Sequence, residues 1–381
     1  MLNKFLKAKP LFYETIDYTR MPRVYEKIKT HFTHPKIIHL IGTNGKGTTG
    51  RFLATALNSQ GFNVGHYTSP HILEFNERIW LNGKNISDET LDETHKFLQT
   101  ILTKEDADTL SYFEYTTFLG MLIFKECDYI VLEAGLGGEH DATAVFKKEL
   151  TLVTPIDFDH QLFLGSTIQE IATTKLNAIQ NNAIIASQKF TKVQDIAEAM
   201  MLENDLNIYN TTELLNNDDF SKIEQISNNL ALVEYLQNNL QLSICALKFL
   251  KINYEVNDFN GARLFGRLSQ YSDNILLDVG HNPLAASSIV DALKPNKYVL
   301  IYNSYKDKDY KEILDILKPI IINVEIIDIN DKRIESKLQL QNTLNNLEIE
   351  YTTFKKIDPE QKYLVFGSFS VVEEFLKGHH E

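Results

Sequence analysis

The sequence of 381 residues has only two cysteines, Cys127 and Cys245, far apart and with no CxxC pair. That excludes a disulfide framework and a thiolate zinc site, and predicts two buried free thiols in a reducing compartment. Positive charge is also scarce: 38 Lys and Arg stand against 51 Asp and Glu, a formal net charge of −13. This balance argues against a binding surface for nucleic acid or an anionic membrane, though not against a small local basic site. No apolar run approaches the roughly 18 residues that span a bilayer. The opening stretch MLNKFLKAKPLFY has too short an apolar core for a signal peptide. Solenoid-type repeats are absent as well. What remains is a chain predicted to be soluble and cytoplasmic. Hydrophobic residues at 43% and charged residues at 23% are ordinary globular usage, with length enough for two or three domains.

Short apolar runs alternate with helical patterns. Lys36 to Ile41 (KIIHLI), Tyr129 to Glu133 (YIVLE) and Leu150 to Ile156 (LTLVTPI) read as buried strands. Gly47 to Gln60 reads as a helix with Phe52, Leu53, Ala56 and Leu57 inward and Gly61 past its end. A second series, Asn274 to Val279, Lys297 to Tyr302, Asn323 to Ile329 and Tyr363 to Phe366, begins after an aperiodic stretch from Asn253 to Arg267. The pattern predicts an α/β protein with mainly parallel sheets and helices on both faces. We place a domain boundary near residue 258, giving domains 1–258 and 259–381. Residues 204–229, rich in Asn and Asp, read as loops and short strands.

The strongest chemical signal is Gly42-Thr43-Asn44-Gly45-Lys46-Gly47-Thr48-Thr49, set between a strand and a helix. Glycines let backbone N–H groups approach phosphate oxygens, the helix N-terminus adds positive potential, and Lys46 supplies a point charge. The spacing departs from the common phosphate loop, with Gly47 between Lys46 and the hydroxyl of Thr48. A Gly-rich turn capping a helix has the same local form. Strand YIVLE ends at Glu133, followed by Ala134-Gly135-Leu136-Gly137-Gly138; a carboxylate there suits a Mg²⁺ on nucleotide phosphates. Asp157, Asp159 and His160 follow the next strand, a set that serves as metal ligands, proton shuttle or loop hydrogen bonds. In the second series, Asp278, His281 and Asn282 follow a strand and precede Pro283, as a ligand rim or as helix caps. Arg267 is a candidate phosphate or sugar contact.

Taken in order, GTNGKGT (42–48), YTSPH (67–71), FNERI (75–79), FEYTTF (113–118), EAGLGGEHDAT (133–143), DFDHQLFLG (157–165), GRL (266–268), DVGHNP (278–283) and DKDY (307–310) cover nearly the whole chain. They resemble the folylpolyglutamate synthase/dihydrofolate synthase family, part of the Mur-ligase group of ATP-dependent amide-forming enzymes. The resemblance implies a P-loop-containing Mur-ligase-type ATPase domain that also holds the pterin site, and a smaller Rossmann-like C-terminal glutamate-ligase domain. Its implied substrates are ATP, dihydropteroate or folate, and L-glutamate, joined through an acyl phosphate. Both activities are expected in one enzyme acting as a monomer.

Residue by residue, the resemblance implies that Thr43, Asn44, Gly45, Lys46, Gly47, Thr48 and Thr49 hold the ATP phosphates. Ser69 and Glu133 would take one Mg²⁺ and His160 a second, together with Lys175, which falls where the family has a carbamylated lysine. Arg267 would reach phosphate, Asp278 the ribose, and His281 the nucleotide cleft. Asp141 and Phe113 would lie by the pterin, with Arg78 organising that site. Lys46, His160, Lys175 and Arg267 are thus the expected catalytic group. The chain departs from the family pattern in four places. Leu176-Asn177-Ala178 stands where Ala-Gly-Ile is usual, and Ala144 replaces an Asn. A Gly before DKD is replaced within Tyr302-Asn303-Ser304, and the chain is shorter between residues 190 and 230. Two rival readings share the nucleotide chemistry: a Mur-type ligase acting on a UDP-linked muramoyl peptide, and a P-loop regulatory ATPase. TSPH, FNERI and DHQ-x-x-LG favour the folate branch.

Overall fold

The computed structural model describes residues 1–9, 17–33 and 35–378; Pro10 to Tyr13 of the opening stretch lie outside the described residues. The chain divides into two compact units, Met1–Leu232 with Leu236–Ala262, and Val233–Tyr235 with Arg263–Glu381.

The first unit is built on eight strands: β1 (Lys36–Ile41), β2 (Val64–Tyr67), β3 (Ile79–Leu81), β4 (Lys84–Asn85), β5 (Tyr129–Glu133), β6 (Leu150–Val153), β7 (Asn182–Ile185) and β8 (Asn207–Asn210). They lie in the order β4-β3-β2-β5-β1-β6-β7-β8. Pairings from β2 to β8 are parallel, and β3 and β4 join antiparallel at one edge. β1 is central and apolar on both faces, with Ile37, Ile38, Leu40 and Ile41 all buried, as a parallel strand covered by helices must be. Register sets the site: Leu40 pairs with Glu133, and Ile41 pairs with Val153. The ends of β5, β1 and β6 are therefore neighbours on one rim.

The second unit holds β9 (Ser269–Ser272), β10 (Ile275–Leu277), β11 (Tyr298–Tyr302), β12 (Ile321–Ile326), β13 (Tyr351–Thr353) and β14 (Tyr363–Phe366). Their order is β13-β12-β11-β14-β10-β9, parallel except for β9 against β10. Its core gathers Leu300, Tyr302, Ile313, Leu314, Leu317, Val324, Leu340, Leu344 and Phe366.

The mainly parallel α/β reading holds, with one local correction. Residues 204–229 are largely helical: Thr211–Leu214 and Asn217–Asn229 are helices, with β8 before them. Asn210, Asn216, Asp218 and Asp219, among the residues that suggested loops, stand at helix starts. Asn216 accepts from Asp219 N–H while the Asp219 carboxylate accepts from Asn216 N–H, a reciprocal cap. Ile223 and Ile226 carry the buried stripe. Among the described residues, no helix is long and apolar enough to cross a membrane. Both cysteines are buried and free.

Candidate active site

After β1 the chain turns through Gly42 to Gly45 into helix Lys46–Ser59. Gly45 has φ +91°, and a Cβ there would lie 2.3 Å from Oδ1 of Asn239 on helix Glu234–Phe249, so the position requires glycine. Asn239 is buried and lies against the loop; being remote in sequence and inside an ordinary helical pattern, it gave no sequence signal. The loop is tied to the end of β6. Thr43 N–H donates to Pro155 O at 2.9 Å, and Asn44 N–H reaches the same carbonyl at 3.4 Å. The Thr43 hydroxyl donates to Asp157 O and accepts from Asp157 N–H, each at 3.0 Å.

Lys46 Nζ donates to the carbonyls of Gly42 and Thr43, each at 3.2 Å, and lies 3.9 Å from Glu133 Oε1. Behind it, in the first helical turn, Gly47, Thr48 and Thr49 are buried, and the hydroxyls of Thr48 and Thr49 have no hydrogen-bond partner among the described residues. A buried unsatisfied hydroxyl costs about 1–3 kcal/mol, so these two fit a nucleotide phosphate and its cation as oxygen donors. Glu133, at the end of β5, accepts on Oε2 from the Thr68 hydroxyl and, at 3.2 Å, from Ser69 N–H. Ser69 is thereby brought beside the carboxylate. Among the described residues, no group of three or more His, Cys, Asp or Glu side chains could hold a metal ion unaided. Hydroxyl plus carboxylate, completed by phosphate oxygens and water, is the donor set Mg²⁺ prefers.

Lys175, on helix Ile168–Leu176, is 3% exposed and donates to Gly42 O at 2.8 Å. Burial, helped by the neighbouring Lys46 charge, lowers its pKa to about 7. Lys46 and Lys175 thus converge on one carbonyl. His160 stands at φ +51° in front of a short helix; its N–H donates to Asp159 Oδ1 at 2.8 Å, and its ring Nε2 lies 3.8 Å from Asp159 Oδ2.

On the other side of Glu133 lies an aromatic cluster. Phe113 packs against Tyr67, ring centroids 5.9 Å apart, and a Cβ on Gly135 would come within 2.6 Å of Phe113 Cζ. Arg78 is buried, stacks over Tyr112 at 5.3 Å, and donates from Nε to His71 Nδ1 at 2.7 Å. The preceding FNER segment explains why that motif has its form. Glu77 accepts from the N–H groups of Ile72, Leu73 and Glu74 at 2.7–2.8 Å, fixing the chain between TSPH and Arg78.

Asp141 is directed into its own loop. It accepts from Gly135 and Leu136 N–H on Oδ2, and from Thr143 N–H and hydroxyl on Oδ1. Burial raises its pKa against those hydrogen bonds. The same network takes in two residues the sequence did not single out. His39 Nε2 meets the Thr143 hydroxyl at 2.8 Å, and Lys148 Nζ donates to the carbonyls of Thr143, Ala144 and Phe146.

In the second unit, Asp278 is also committed internally. It accepts from Leu268 N–H at 2.8 Å, Gly280 N–H at 2.7 Å and the Tyr235 hydroxyl at 3.2 Å. Burial raises its pKa, opposed by Arg267 and these bonds. Asn282 caps helix Pro283–Leu293, accepting from Ala285 N–H at 2.9 Å. His281 Nδ1 lies 3.1 Å from Val279 O. Arg267 extends its guanidinium over Phe369 at 5.2 Å and donates to Gly266 O at 3.2 Å.

No protein-family model matches the chain. Whole-chain comparisons are informative. A dihydrofolate synthase/folylpolyglutamate synthase from Haemophilus influenzae is 30% identical, covering 93% of this chain and 92% of the relative. The crystal structure of a Helicobacter pylori folylpolyglutamate synthetase superposes with TM-score 0.80 at 37% identity, over 99% of this chain and 97% of that one. An Escherichia coli FolC in complex with DHPP and ADP superposes with TM-score 0.82 at 25% identity, over 99% and 97%. The chain belongs to the dihydrofolate synthase/folylpolyglutamate synthase family, whose members are ATP-dependent glutamate ligases.

Proposed function

We propose that this chain adds L-glutamate to dihydropteroate, forming dihydrofolate, and to the γ-carboxylate of a folate, lengthening its tail. The observation that carries the nucleotide half of this reading is the pair of buried, unpartnered hydroxyls of Thr48 and Thr49 beside Lys46 and Glu133. In the proposed reaction Lys46 holds charge on the γ-phosphoryl group as it passes to the substrate carboxylate. ADP leaves as the acyl phosphate forms; the neutral amine of glutamate then attacks its carbonyl carbon, phosphate leaves with the C–O electron pair, and the nitrogen loses a proton to water. Ser69 and Glu133 would hold a Mg²⁺, which when bound would supply Lewis-acid stabilisation of the phosphates that Thr48 and Thr49 contact. His160 and Lys175 would hold a second Mg²⁺.

Lys175 has the chemistry for carbamylation. With its pKa lowered to about 7, much of the amine is neutral at physiological pH. Attack on CO₂ with loss of a proton gives an anionic oxygen ligand. In this reading residues 1–258 bind ATP and the pterin, with Phe113 and Asp141 at the pterin. Residues 259–381 form the glutamate-ligase domain, with Arg267, Asp278 and His281 toward the nucleotide. The enzyme is assigned to the cytoplasm and to a monomer.

The test is ADP release measured with dihydropteroate, tetrahydrofolate or a UDP-muramoyl peptide, each with and without glutamate. Glutamate-dependent release with both pteroyl substrates supports the reading, and release with one alone assigns a single activity. Release only with the muramoyl substrate, or independent of glutamate, overturns it. Mass analysis in bicarbonate decides Lys175: addition of one CO₂ supports the carbamate, and an unmodified lysine removes it.

A further inference from the structure

Strands β6 and β7 stop pairing just before the residues that carry the phosphate loop. Their ladder runs to Val153 against Ile185, and the bond that follows it is Ala186 N–H to Val153 O at 2.9 Å. Pro155 then has no N–H to donate, so ordinary strand pairing cannot hold residues 154–157. The side-chain amide of Gln188 takes the place of the missing peptide group. Its Oε1 accepts from Ile156 N–H at 2.9 Å; its Nε2 donates to Ala186 O at 2.9 Å and reaches Thr154 O at 3.4 Å. These partners fix which way the amide points, because the Ile156 N–H can only donate and the two carbonyls can only accept. The grip continues residue by residue. Lys189 Nζ meets Asp157 Oδ2 at 3.3 Å, and the Phe190 ring stands edge-on to Phe158, centroids 5.8 Å apart.

What Gln188 braces is the seat of the phosphate loop. Pro155, between the two residues that Gln188 holds, lends its carbonyl to Thr43 N–H at 2.9 Å and to Asn44 N–H at 3.4 Å. Asp157 bonds the Thr43 hydroxyl through both its N–H and its carbonyl. The carbonyls of Gly42 and Thr43 in turn support Lys46. We propose that Gln188 is a positioning residue for the nucleotide phosphates, acting through residues 154–157 on residues 42–46 rather than by contact with the ligand. The inference rests on the nucleotide half of the reading above and deepens it by naming what keeps the loop in register. Magnitudes single out Gln188 within its segment. The Lys189 side chain is 60% exposed, so its ion pair with Asp157 is screened by solvent and worth little. Ile156 is buried, so removing the Gln188 amide strips a buried backbone N–H of its acceptor, a costlier change.

The test compares the full-length wild type with Gln188→Met, Gln188→Glu and Lys189→Met. The dissociation constant for ADP is measured by equilibrium titration, and KM for the pteroyl substrate and for glutamate by turnover at saturating ATP. Gln188→Met keeps the length of the side chain and removes its hydrogen bonds. ADP should bind it about tenfold more weakly, the scale of losing the partner of a buried backbone group, with both KM values unchanged. Gln188→Glu keeps an acceptor for Ile156 N–H and should lose less than Gln188→Met. Lys189→Met should change ADP binding by no more than about threefold. ADP affinity at the wild-type level in a folded Gln188→Met, or a parallel rise in both KM values, shows Gln188 to be merely structural and overturns the proposal. A larger effect in Lys189→Met than in Gln188→Met overturns it as well. Should far-UV circular dichroism show Gln188→Met to be unfolded, Gln188→Glu decides: selectively weakened ADP binding supports the proposal, and unchanged binding overturns it. A wild type that binds no ADP overturns the nucleotide reading together with this one, whereas wild-type binding with unaffected Gln188 variants overturns this one alone.

Discussion

Each unit presents polar residues just beyond the ends of parallel strands; Asp141 and Asp278 are both committed to nearby backbone, but the rest of the two rims differs. In the first unit, Lys46 and Lys175 rest on loop carbonyls, and among the described residues Thr48 and Thr49 keep hydroxyls without partners and Arg78 has no carboxylate. In the second unit, Asp278, Asn282 and Asn303 are consumed by their own backbone; Asn303, for example, donates to Ile327 O at 2.7 Å and accepts from Ser304 N–H. Arg267 lays its guanidinium over an aromatic ring and also donates to Gly266 O. The contrast teaches that a polar residue at a strand end is not in itself a binding residue. What marks the first rim is the adjacent pair of Thr48 and Thr49 hydroxyls, buried and without a hydrogen-bond partner among the described residues.

The sharpest way to break the comparison is at Glu133. Glu133→Gln removes the carboxylate charge while keeping an acceptor for Thr68 and Ser69, so the fold should persist. Glutamate-dependent ADP release should fall by about a thousandfold, the scale of losing a key electrostatic group, with far-UV circular dichroism unchanged. Full activity would remove Glu133 from the site. Next in size is Gly45→Ala, which places a Cβ against Asn239 at a residue with φ +91°. A stability loss of about 1–3 kcal/mol is expected from the backbone conformation alone, read by denaturant unfolding, together with weakened ATP binding.

Acid should separate the units more gently. His39 and His66 are fully buried, and their pKa values lie well below the ordinary histidine value; His71 is at about 4. The unfolded chain therefore binds more protons than the native one below about pH 6.5. Stability from these residues is complete above that pH and is lost as pH falls through the window down to the native pKa values. Hydrogen exchange followed by mass spectrometry from pH 7.5 to 5 should show β1 and β2 losing protection before β10 and β11, since His281 is the only histidine described in the second unit. Unchanged or reversed order contradicts the assignment. The smallest effect is expected at Asn282→Ala, where loss of a cap should cost about 1 kcal/mol with KM for ATP unchanged. A change in KM with stability intact would move Asn282 from cap to ligand contact.

The parts of this architecture that were legible in the sequence are those encoded locally. KIIHLI and YLVF are β1 and β14 to the residue, because apolar runs bounded by polar or glycine residues leave few alternatives. The phosphate loop was legible because glycines, lysine and hydroxyls occur together between a strand and a helix. What escaped depends on contacts between distant segments. Asn239 against Gly45, Lys148 on three carbonyls, and His71 on Arg78 each involve residue types that occur at unremarkable spacings. The misreading of 204–229 has a different origin. Asn and Asp favour turns and helix caps for the same reason, a side chain that bonds nearby backbone, so composition alone could not choose between them.

The three backbone N–H groups gathered by Glu77 have a practical consequence for how this enzyme can change. Because the carboxylate grips main chain, the path of residues 72–74 does not depend on the side chain at position 73. Leu73 is 37% exposed, so a library randomised there would sample new surface chemistry on an unaltered loop. Substitution of Glu77 itself would release the loop whatever stood at its tip. Variation and constancy are thus assigned to neighbouring positions.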